Sequence, residues 1–348
     1  MKRLAVVGHF GGNRGTLSGQ TVKTKELARA LEEELGTDAV MTVDTYGGIR
    51  AVPKLVCSLA KALRRCHNII ILPAQNGVKV IPVMLQLMNP FFGRRLHYVV
   101  IGGWLPQLLL ERRWLSRLLQ RFHGIYVETK TMKRTMEKRG FHNVYIMPNC
   151  KKLTVLGEKD LVYPTGKPFK LCTFSRVMKE KGIETAVEVI KKVNEKLGYT
   201  AYSLDIYGQV DTEQTEWFDM LKSRFPDYVR YCGCAESNKS VEVLQDYFAL
   251  LFPTHFYTEG IPGTIIDAYA AGIPVISARW ESYADVVDEG KTGIGYDFDN
   301  ESQFAEILLN AVGDPKQLLD MKINCLNKAK DYIPQTAIQT MIQRFGGV

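Results

Sequence analysis

Short apolar runs alternate with longer segments of helical periodicity along this chain. In the first 150 residues the strand candidates are continuous rather than alternating apolar runs, which is typical of a parallel sheet covered on both faces. The predicted strands are residues 4–7, 39–43, 68–72, 98–101, 124–127 and 144–147. The predicted helices are residues 21–35, 55–65, 78–88, 105–122 and 132–139.

The pattern breaks at residues 151–168, where Pro and Gly recur and a linker is predicted. The alternation then restarts, with strands at 170–174, 202–207, 229–231, 250–252, 274–277 and 293–296. Helices are predicted at 182–196, 213–225, 241–247, 263–271 and 302–312, and the last helices follow Pro315. We therefore predict an α/β fold of two Rossmann-like, doubly wound domains that face each other across a cleft, with ligands at the carboxyl ends of the strands.

Composition excludes several classes of protein. The chain has 348 residues, 46% of them hydrophobic and 24% charged, which suits two globular cores and excludes disordered and fibrous chains. No apolar run approaches the roughly 18 residues of a membrane span, and the N-terminal run is too short for a signal peptide. Seven cysteines without a CxxC pair predict free thiols in a reducing cytosol.

Positive charge is concentrated in the first half of the chain. Residues 1–150 carry 23 Lys and Arg against 9 Asp and Glu, whereas residues 151–348 carry 22 against 28. This asymmetry predicts that the first half faces an anionic partner such as phosphates, nucleic acid or a lipid surface.

The most informative motif runs from Thr258 through a predicted short helix into the strand at 274–277. Gly260 and Pro262 place the helix start directly after a loop, which leaves backbone N–H groups suited to a diphosphate or a sugar oxygen. Glu259 and Asp267 are eight residues apart, or at least about 12 Å along a helix. One carboxylate could bind sugar hydroxyls and the other ribose hydroxyls. The alternative is a capped helix with an acidic surface residue.

Two further loops follow predicted strands. Arg176 and Lys181 lie between a strand and the helix opened by Gly182, and two cations there would neutralise a departing diphosphate. A solvated basic loop is the alternative. The glycine-rich loop at 11–20 has neither P-loop nor dinucleotide spacing, but Gly19 would let the backbone approach a phosphate.

Together these motifs resemble the family 4 retaining glycosyltransferases of the GT-B fold, of the kind that build bacterial surface polysaccharides. The resemblance covers nearly the whole chain. It is carried by Gly19, Pro148-Asn149, Arg176, Lys181-Gly182, Glu259-Gly260-x-Pro262, an acid at 267, Ala270-x-Gly272-x-Pro274-Val275 and a C-terminal segment at 332–345. It implies an acceptor-binding domain of residues 1–152 and 333–348, a linker at 153–168, and a nucleotide-sugar domain of residues 169–332.

The resemblance also implies roles for single residues. Glu259 would bind the donor sugar and stabilise an oxocarbenium-like transition state, while Arg176, Lys181 and Gly19 would hold the diphosphate. The donor nucleoside and sugar would contact Asp267, Gly260, Ile261, Thr264 and Gly208, and the acceptor side would include His9, Gly103 and Trp104. No metal or cofactor is expected, and transfer would proceed by front-side attack with the leaving phosphate as base.

The chain departs from the family pattern at two positions. Asp267 stands where Glu is usual, which puts the ribose contact in doubt. The stretch in which relatives often carry a histidine reads Ile101-Gly102-Gly103-Trp104. His97 lies too early, and we interpret it as a strand-edge residue. His9 could reach the cleft, although a single histidine is more often structural.

The predicted helix from Leu105 to Phe122 is amphipathic, with Leu108, Trp114 and Leu115 on one arc and four arginines on the other. It predicts contact with an anionic membrane surface, to which the nearby Phe91-Phe92-Gly93-Arg94-Arg95 would add aromatic and basic groups. In the alternative, its apolar arc packs on the protein's own sheet.

We predict a cytoplasmic glycosyltransferase, peripheral on the inner face of the membrane. It would use a nucleoside-diphosphate sugar, with UDP favoured, and a lipid-linked or saccharide acceptor in capsule, O-antigen or exopolysaccharide synthesis. The alternative is a non-catalytic GT-B-shaped partner of a membrane or of another transferase. Nucleic acid is not expected as a partner, because no nucleic-acid module is recognisable.

Overall fold

The computed structural model describes residues 2–12, 19–47, 52–236 and 238–345. The chain divides into two compact units, one of Met1–Lys152 with Tyr332–Val348 and one of Leu153–Asp331. The stretch predicted as a linker lies with the second unit, where the Leu156 amide donates to the Ala270 carbonyl at 2.8 Å. Within the described residues, no helix is both long and apolar enough to span a bilayer.

The first unit contains a parallel six-stranded sheet in the order β2-β1-β3-β4-β5-β6. Its strands are β1 (Lys2–Gly8), β2 (Val40–Asp44), β3 (Cys66–Leu72), β4 (Arg95–Val99), β5 (Gly124–Val127) and β6 (Val144–Ile146). Strand β4 begins and ends earlier than the apolar run at 98–101 suggested, because Leu96 and His97 are buried in the sheet as well.

Helices cover both faces of this sheet. The helices of the first unit are α1 (Gly19–Leu35), α2 (Val52–Arg65), α3 (Ile81–Met88), α4 (Leu105–Glu111), α5 (Arg113–Leu119), α6 (Lys130–Glu137) and α15 (Pro334–Ile342). Helices α1 and α15 pack on one face, where Leu31 and Ile338 are buried. Helices α2 to α6 form a layer on the other face, which we call the α2–α6 layer.

Charge is sorted between these two faces. Residues 52–141, which contain the α2–α6 layer, include 16 Lys and Arg but only three acids, Glu111, Glu128 and Glu137. Helix α1 on the other face carries Glu26 and a run of three glutamates at 32–34. Sixteen of the 23 Lys and Arg of residues 1–150 therefore lie in the segment that contains the α2–α6 layer, whereas α1 carries three cations beside its four glutamates.

The single helix predicted from Leu105 to Phe122 is wrong, because the chain breaks at Arg112 between α4 and α5. The Ser116 hydroxyl donates to the Leu109 carbonyl at 3.3 Å, which supplies a hydrogen bond at the break. Most of the predicted apolar arc is in the core of the unit, including Leu108, Leu115 and Phe122. For these buried residues the alternative interpretation, in which the arc packs on the protein's own sheet, is therefore the correct one.

The second unit contains a parallel sheet in the order β12-β11-β10-β7-β8-β9. Its strands are β7 (Phe169–Phe174), β8 (Tyr202–Tyr207), β9 (Val229–Gly233), β10 (Ala249–Phe252), β11 (Val275–Ala278) and β12 (Gly293–Tyr296). Its helices are α7 (Ile183–Leu197), α8 (Thr215–Lys222), α9 (Ser240–Leu244), α10 (Gly263–Ala270), α11 (Tyr283–Val286), α12 (Glu301–Gly313), α13 (Lys316–Leu319) and α14 (Lys322–Ala329). Strand order reverses direction between β7 and β10, and a doubly wound sheet offers its ligand crevice at such a switch point.

Candidate functional site

The loops after β7 and β10 meet at the switch point of the second sheet. They lie backbone to backbone, because the His255 amide donates to the Glu180 carbonyl at 2.8 Å. Gly182 has a φ of 69°, and a Cβ there would lie 1.8 Å from the Pro253 carbonyl oxygen. Only glycine allows this close approach. The sequence therefore fixes both the position and the spacing of the two loops that carry the predicted charged residues.

Lys181 and Glu259 form an ion pair at this junction, although they are 78 residues apart in the chain. Both side chains are largely shielded, with 18% and 16% of their surface exposed. The Thr254 hydroxyl donates to the same carboxylate oxygen of Glu259 at 3.2 Å. The Lys181 ammonium also lies 5.1 Å from the ring centroid of Phe256. The structure thus joins the predicted sugar-binding acid to one of the predicted phosphate-binding cations.

Arg176 lies in the same β7 loop but has a different partner. Its guanidinium is 3.5 Å from the Asp211 carboxylate, and the side chain is half exposed. The loop after β8 that carries Asp211 is fixed by Val177, whose amide donates to the Gln209 carbonyl at 2.9 Å. Gly208, at the start of that loop, has a φ of 140°, and a Cβ there would lie 1.8 Å from the Ser175 carbonyl oxygen. Three successive loops are therefore held at one edge of the sheet.

Helix α10 begins directly after the Glu259 loop. Among the residues described, no side chain caps its N-terminus, which follows Pro262. Gly260 and Ile261 are buried beneath the loop, and the buried Thr264 hydroxyl has no hydrogen-bond partner among the described residues. Uncapped first-turn amides carry the positive end of the helix dipole, so this end of α10 suits an anionic or hydroxyl-rich ligand.

Asp267 faces into the protein. The side chain is 3% exposed, and the buried Ser240 hydroxyl of α9 donates to its carboxylate at 2.7 Å. This contact ties α10 to α9. A hydrogen bond that a ribose hydroxyl donates to Asp267 stays a prediction.

Several polar residues of this site were not predicted. Thr254 and His255 follow β10 after Pro253, and polar residues just beyond a buried strand were the available signal. His255 bridges two further elements, through Nδ1 to Asp299 Oδ1 at 2.6 Å and through Nε2 to the Thr185 hydroxyl at 3.2 Å. A cavity of about 210 Å³ lies beside this contact, lined in part by Thr185, His255 and Asp299.

Four of the predicted site residues belong to the first unit. Gly19 is exposed at the start of α1, and residues 13–18 of the glycine-rich loop lie outside the described residues. His9 Nδ1 lies 3.1 Å from the Thr21 hydroxyl. Gly103 is buried, and Trp104 packs against the core beneath the α2–α6 layer.

A buried ion pair in the first unit was missed. Lys23 and Glu128, 5% and 3% exposed, bind each other beyond the ends of β4 and β5. Glu128 also accepts from the Gly102 amide at 3.2 Å, and Lys23 donates to the Val100 carbonyl at 3.1 Å. Across the described residues, no group of three His, Cys, Asp or Glu side chains has the arrangement of a metal site.

Residues 168–314, all in the second unit, match the protein family described as Glycosyl transferases group 1. The putative colanic acid biosynthesis glycosyltransferase WcaL of Salmonella typhimurium is 26% identical over 132 residues, which are 37% of this chain. The match spans about a third of the length of such curated relatives, 32% in this case.

The fold is shared with solved structures over nearly the whole chain. HepE of Anabaena, solved in complex with UDP and glucose, gives a TM-score of 0.75 at 13% identity and covers 99% of both chains. Sucrose-phosphate synthase of Thermosynechococcus elongatus gives 0.76 at 13% identity and covers 99% of this chain and 98% of its own. The predicted fold class, two Rossmann-like domains of the GT-B type, is confirmed.

Proposed function

We propose that this protein is a glycosyltransferase that moves a sugar from a UDP-sugar to a lipid-linked or saccharide acceptor. The observation that carries the proposal is the Lys181–Glu259 pair at the switch point of the second sheet, inside the segment that matches Glycosyl transferases group 1. UDP is favoured as the donor nucleotide because HepE, of the same fold, was solved with UDP and glucose. The relation to WcaL, named for colanic acid biosynthesis, supports a role in surface polysaccharide assembly.

Each charged residue has a role in this proposal. Glu259 binds the donor sugar, and its carboxylate stabilises the positive charge that develops at the anomeric carbon. Lys181 and Arg176 neutralise the diphosphate as it leaves, together with the N-terminus of α10. Gly19 approaches the phosphates, and Gly208, Gly260, Ile261, Thr264 and Asp267 contact the nucleoside or the sugar.

We further propose that transfer is retaining and independent of metal. The bond from the anomeric carbon to the β-phosphate oxygen breaks, and the acceptor oxygen bonds to that carbon from the same face. The acceptor hydroxyl proton passes to the leaving phosphate. Cationic side chains can supply the charge neutralisation that a divalent ion supplies elsewhere.

The acceptor belongs, in this proposal, to the first unit, where His9, Gly103 and Trp104 are the candidate contacts. A lipid-linked acceptor would place the enzyme at the inner face of the cytoplasmic membrane.

Substitution of Glu259 separates transfer from nucleotide binding. We expect Glu259→Ala to lower the transfer rate at least about 100-fold, because the transition-state charge loses its carboxylate. UDP binding should be unchanged or tighter, since Lys181 is released from its ion pair. Arg176→Ala should weaken UDP binding itself, by about tenfold for one lost charged contact. The measurements are radiolabelled sugar transfer and UDP calorimetry.

The matched control is Glu216→Ala, which removes an exposed glutamate from α8 of the same unit. Full transfer by the Glu259 variant would remove this residue from the mechanism. Absence of heat with UDP, GDP and ADP, together with no transfer, would instead favour the non-catalytic partner.

A further inference from the structure

Large apolar side chains are exposed on the outer side of the α2–α6 layer. Leu87 is 71% exposed, Phe91 83%, Leu110 62% and Trp114 46%. Leu87 lies on α3, and Phe91 lies in the turn that follows it. Scattered apolar residues on a surface are ordinary, but four of this size on neighbouring elements form a set that requires explanation.

These side chains belong to one surface because their helices share one core. Helix α3 packs against α5, and α4 against α5. The inward residues of these three helices, including Leu85, Leu109 and Leu115, are buried together in the core under the α2–α6 layer. The exposed residues therefore lie on the side of the same layer that faces away from the sheet.

The surroundings of this apolar set are cationic. Arg113, Arg117 and Arg121 are exposed, and none of them forms an ion pair with a residue that the structure describes. The nearby exposed acid is Glu111, and Glu137 lies 3.6 Å from Lys133 on α6. A surface with bulky apolar tips among unpaired arginines matches the interface of an anionic bilayer, where acyl chains meet phosphate groups.

We propose that Leu87, Phe91, Leu110 and Trp114 insert into an anionic lipid surface and that the arginines of α5 bind its phosphates. This inference rests on the proposed function, because the lipid-linked acceptor in that proposal is the reason to choose a membrane as the partner. From the predicted apolar arc of residues 105–122 the proposal keeps the exposed Trp114 and leaves out the buried residues. It adds Leu110 and two residues at the end of α3, Leu87 and Phe91. Nucleic acid fits less well, because Leu87 and Leu110 offer neither a ring for stacking nor a charge.

The test is binding of the full chain to phosphatidylglycerol–phosphatidylcholine vesicles, measured by co-sedimentation at several salt concentrations. We expect binding that weakens with salt and is much weaker on pure phosphatidylcholine. The double variant Leu87→Ser, Phe91→Ser should bind at least about tenfold more weakly, since two large side chains no longer leave water. The double variant Arg113→Glu, Arg117→Glu should lose a similar factor.

Two controls match these variants. Met220→Ser removes an exposed apolar residue of the second unit, and Arg29→Glu reverses an exposed charge on α1, on the opposite face of the first sheet. Both should bind vesicles as the unaltered chain does. The proposal is overturned if the serine variant keeps full affinity, if neutral vesicles bind equally well, or if polyuridylate binds tightly while vesicles do not.

Calorimetry with UDP on the same variants keeps this inference separate from the donor chemistry. Loss of vesicle binding with unchanged UDP affinity supports the surface proposed above. An unaltered chain that binds vesicles but no nucleotide would contradict the glycosyltransferase proposal and leave the lipid surface standing. An unaltered chain that binds UDP but no vesicles would contradict the lipid surface and leave the glycosyltransferase proposal standing.

Discussion

At the scale of single residues, the sequence predicted which residues carry charge at the site better than it predicted which side chains they bind. The motifs indicated Lys181 and Glu259 as charged residues of one site, because each follows a predicted strand. Their pairing depends on β7 and β10 being neighbours in the sheet, and local periodicity does not report strand order. For the same reason the hydrogen bond from Ser240 to Asp267 could not be foreseen, and Asp267 was expected to face a ligand.

His97 shows the same limit and leads to a pH prediction. The interpretation of His97 as a strand-edge residue is wrong: it is fully buried in β4, 3.1 Å from the Tyr126 hydroxyl and 3.2 Å from Asn68 Oδ1. Burial lowers the pKa of His97 to about 3, with smaller contributions from His123 and Arg95. In the unfolded chain His97 therefore binds a proton as the pH falls through 6.5, whereas in the folded chain it does so only near pH 3.

Stability of the first unit should accordingly fall as the pH falls through that window. Between pH 7 and pH 5 we expect a loss of about 2 kcal/mol from this residue. The free energy of unfolding, from urea-dependent hydrogen exchange of first-unit peptides, measures it. In His97→Gln this acid-dependent loss should shrink. An equal loss in both proteins would show that another group titrates.

At the scale of elements, the strands were easier to predict than the helices. Continuous apolar runs located strands because both faces of a parallel sheet are buried. The helix at 105–122 was misjudged because the inward residues of α4 and α5 keep helical spacing across the break. Periodicity reports which residues face the core, and it does not detect one non-helical residue such as Arg112 with a φ of −131°.

The loop junction at α7 allows a substitution test. Gly182→Ala places a methyl group against the Pro253 carbonyl, so the loops must separate, and we expect a loss of more than about 2 kcal/mol in stability. UDP affinity should also fall, because the displaced loop after β7 no longer holds Lys181 and Arg176 at the diphosphate. Thermal unfolding and calorimetry measure the two effects.

Gly198→Ala is the matched control, since Gly198 ends the same helix with a φ of 74° and a methyl group there would meet no described atom within 4 Å. The Gly198→Ala variant should lose about 1 kcal/mol of stability from the positive φ alone, with no steric clash of the kind expected at Gly182. Equal effects of the two variants would contradict the importance of the close approach.

At the scale of the whole molecule, alternation of strands and helices was enough to predict two doubly wound domains. It did not distinguish the two sheet orders, because local patterns do not show that one strand lies outside β1 whereas two strands, β8 and β9, lie outside β7. The C-terminal residues lie with the first unit, so that unit is built from both ends of the chain.

The first unit should therefore depend on α15 for its stability. Ile338 is fully buried between α15 and the sheet, so Ile338→Ala should cost about 2–4 kcal/mol. Thr336→Ala, on the exposed side of α15, should change stability by less than about 0.5 kcal/mol. Hydrogen exchange of β1 and β3 peptides reports the difference. Equal protection in the two variants would contradict the contribution of Ile338 to the stability of the first unit.

The four glutamates of α1 nearly balance its three cations, whereas the α2–α6 layer has a large excess of cations, and this difference gives the first unit an electric dipole across its sheet. Such a dipole experiences a torque near any charged plane, over a range of about 10 Å at 0.1 M salt. The unit would reach an anionic plane with its cationic layer already turned toward that plane. Raising the ionic strength would first remove this preferred orientation and only later the binding.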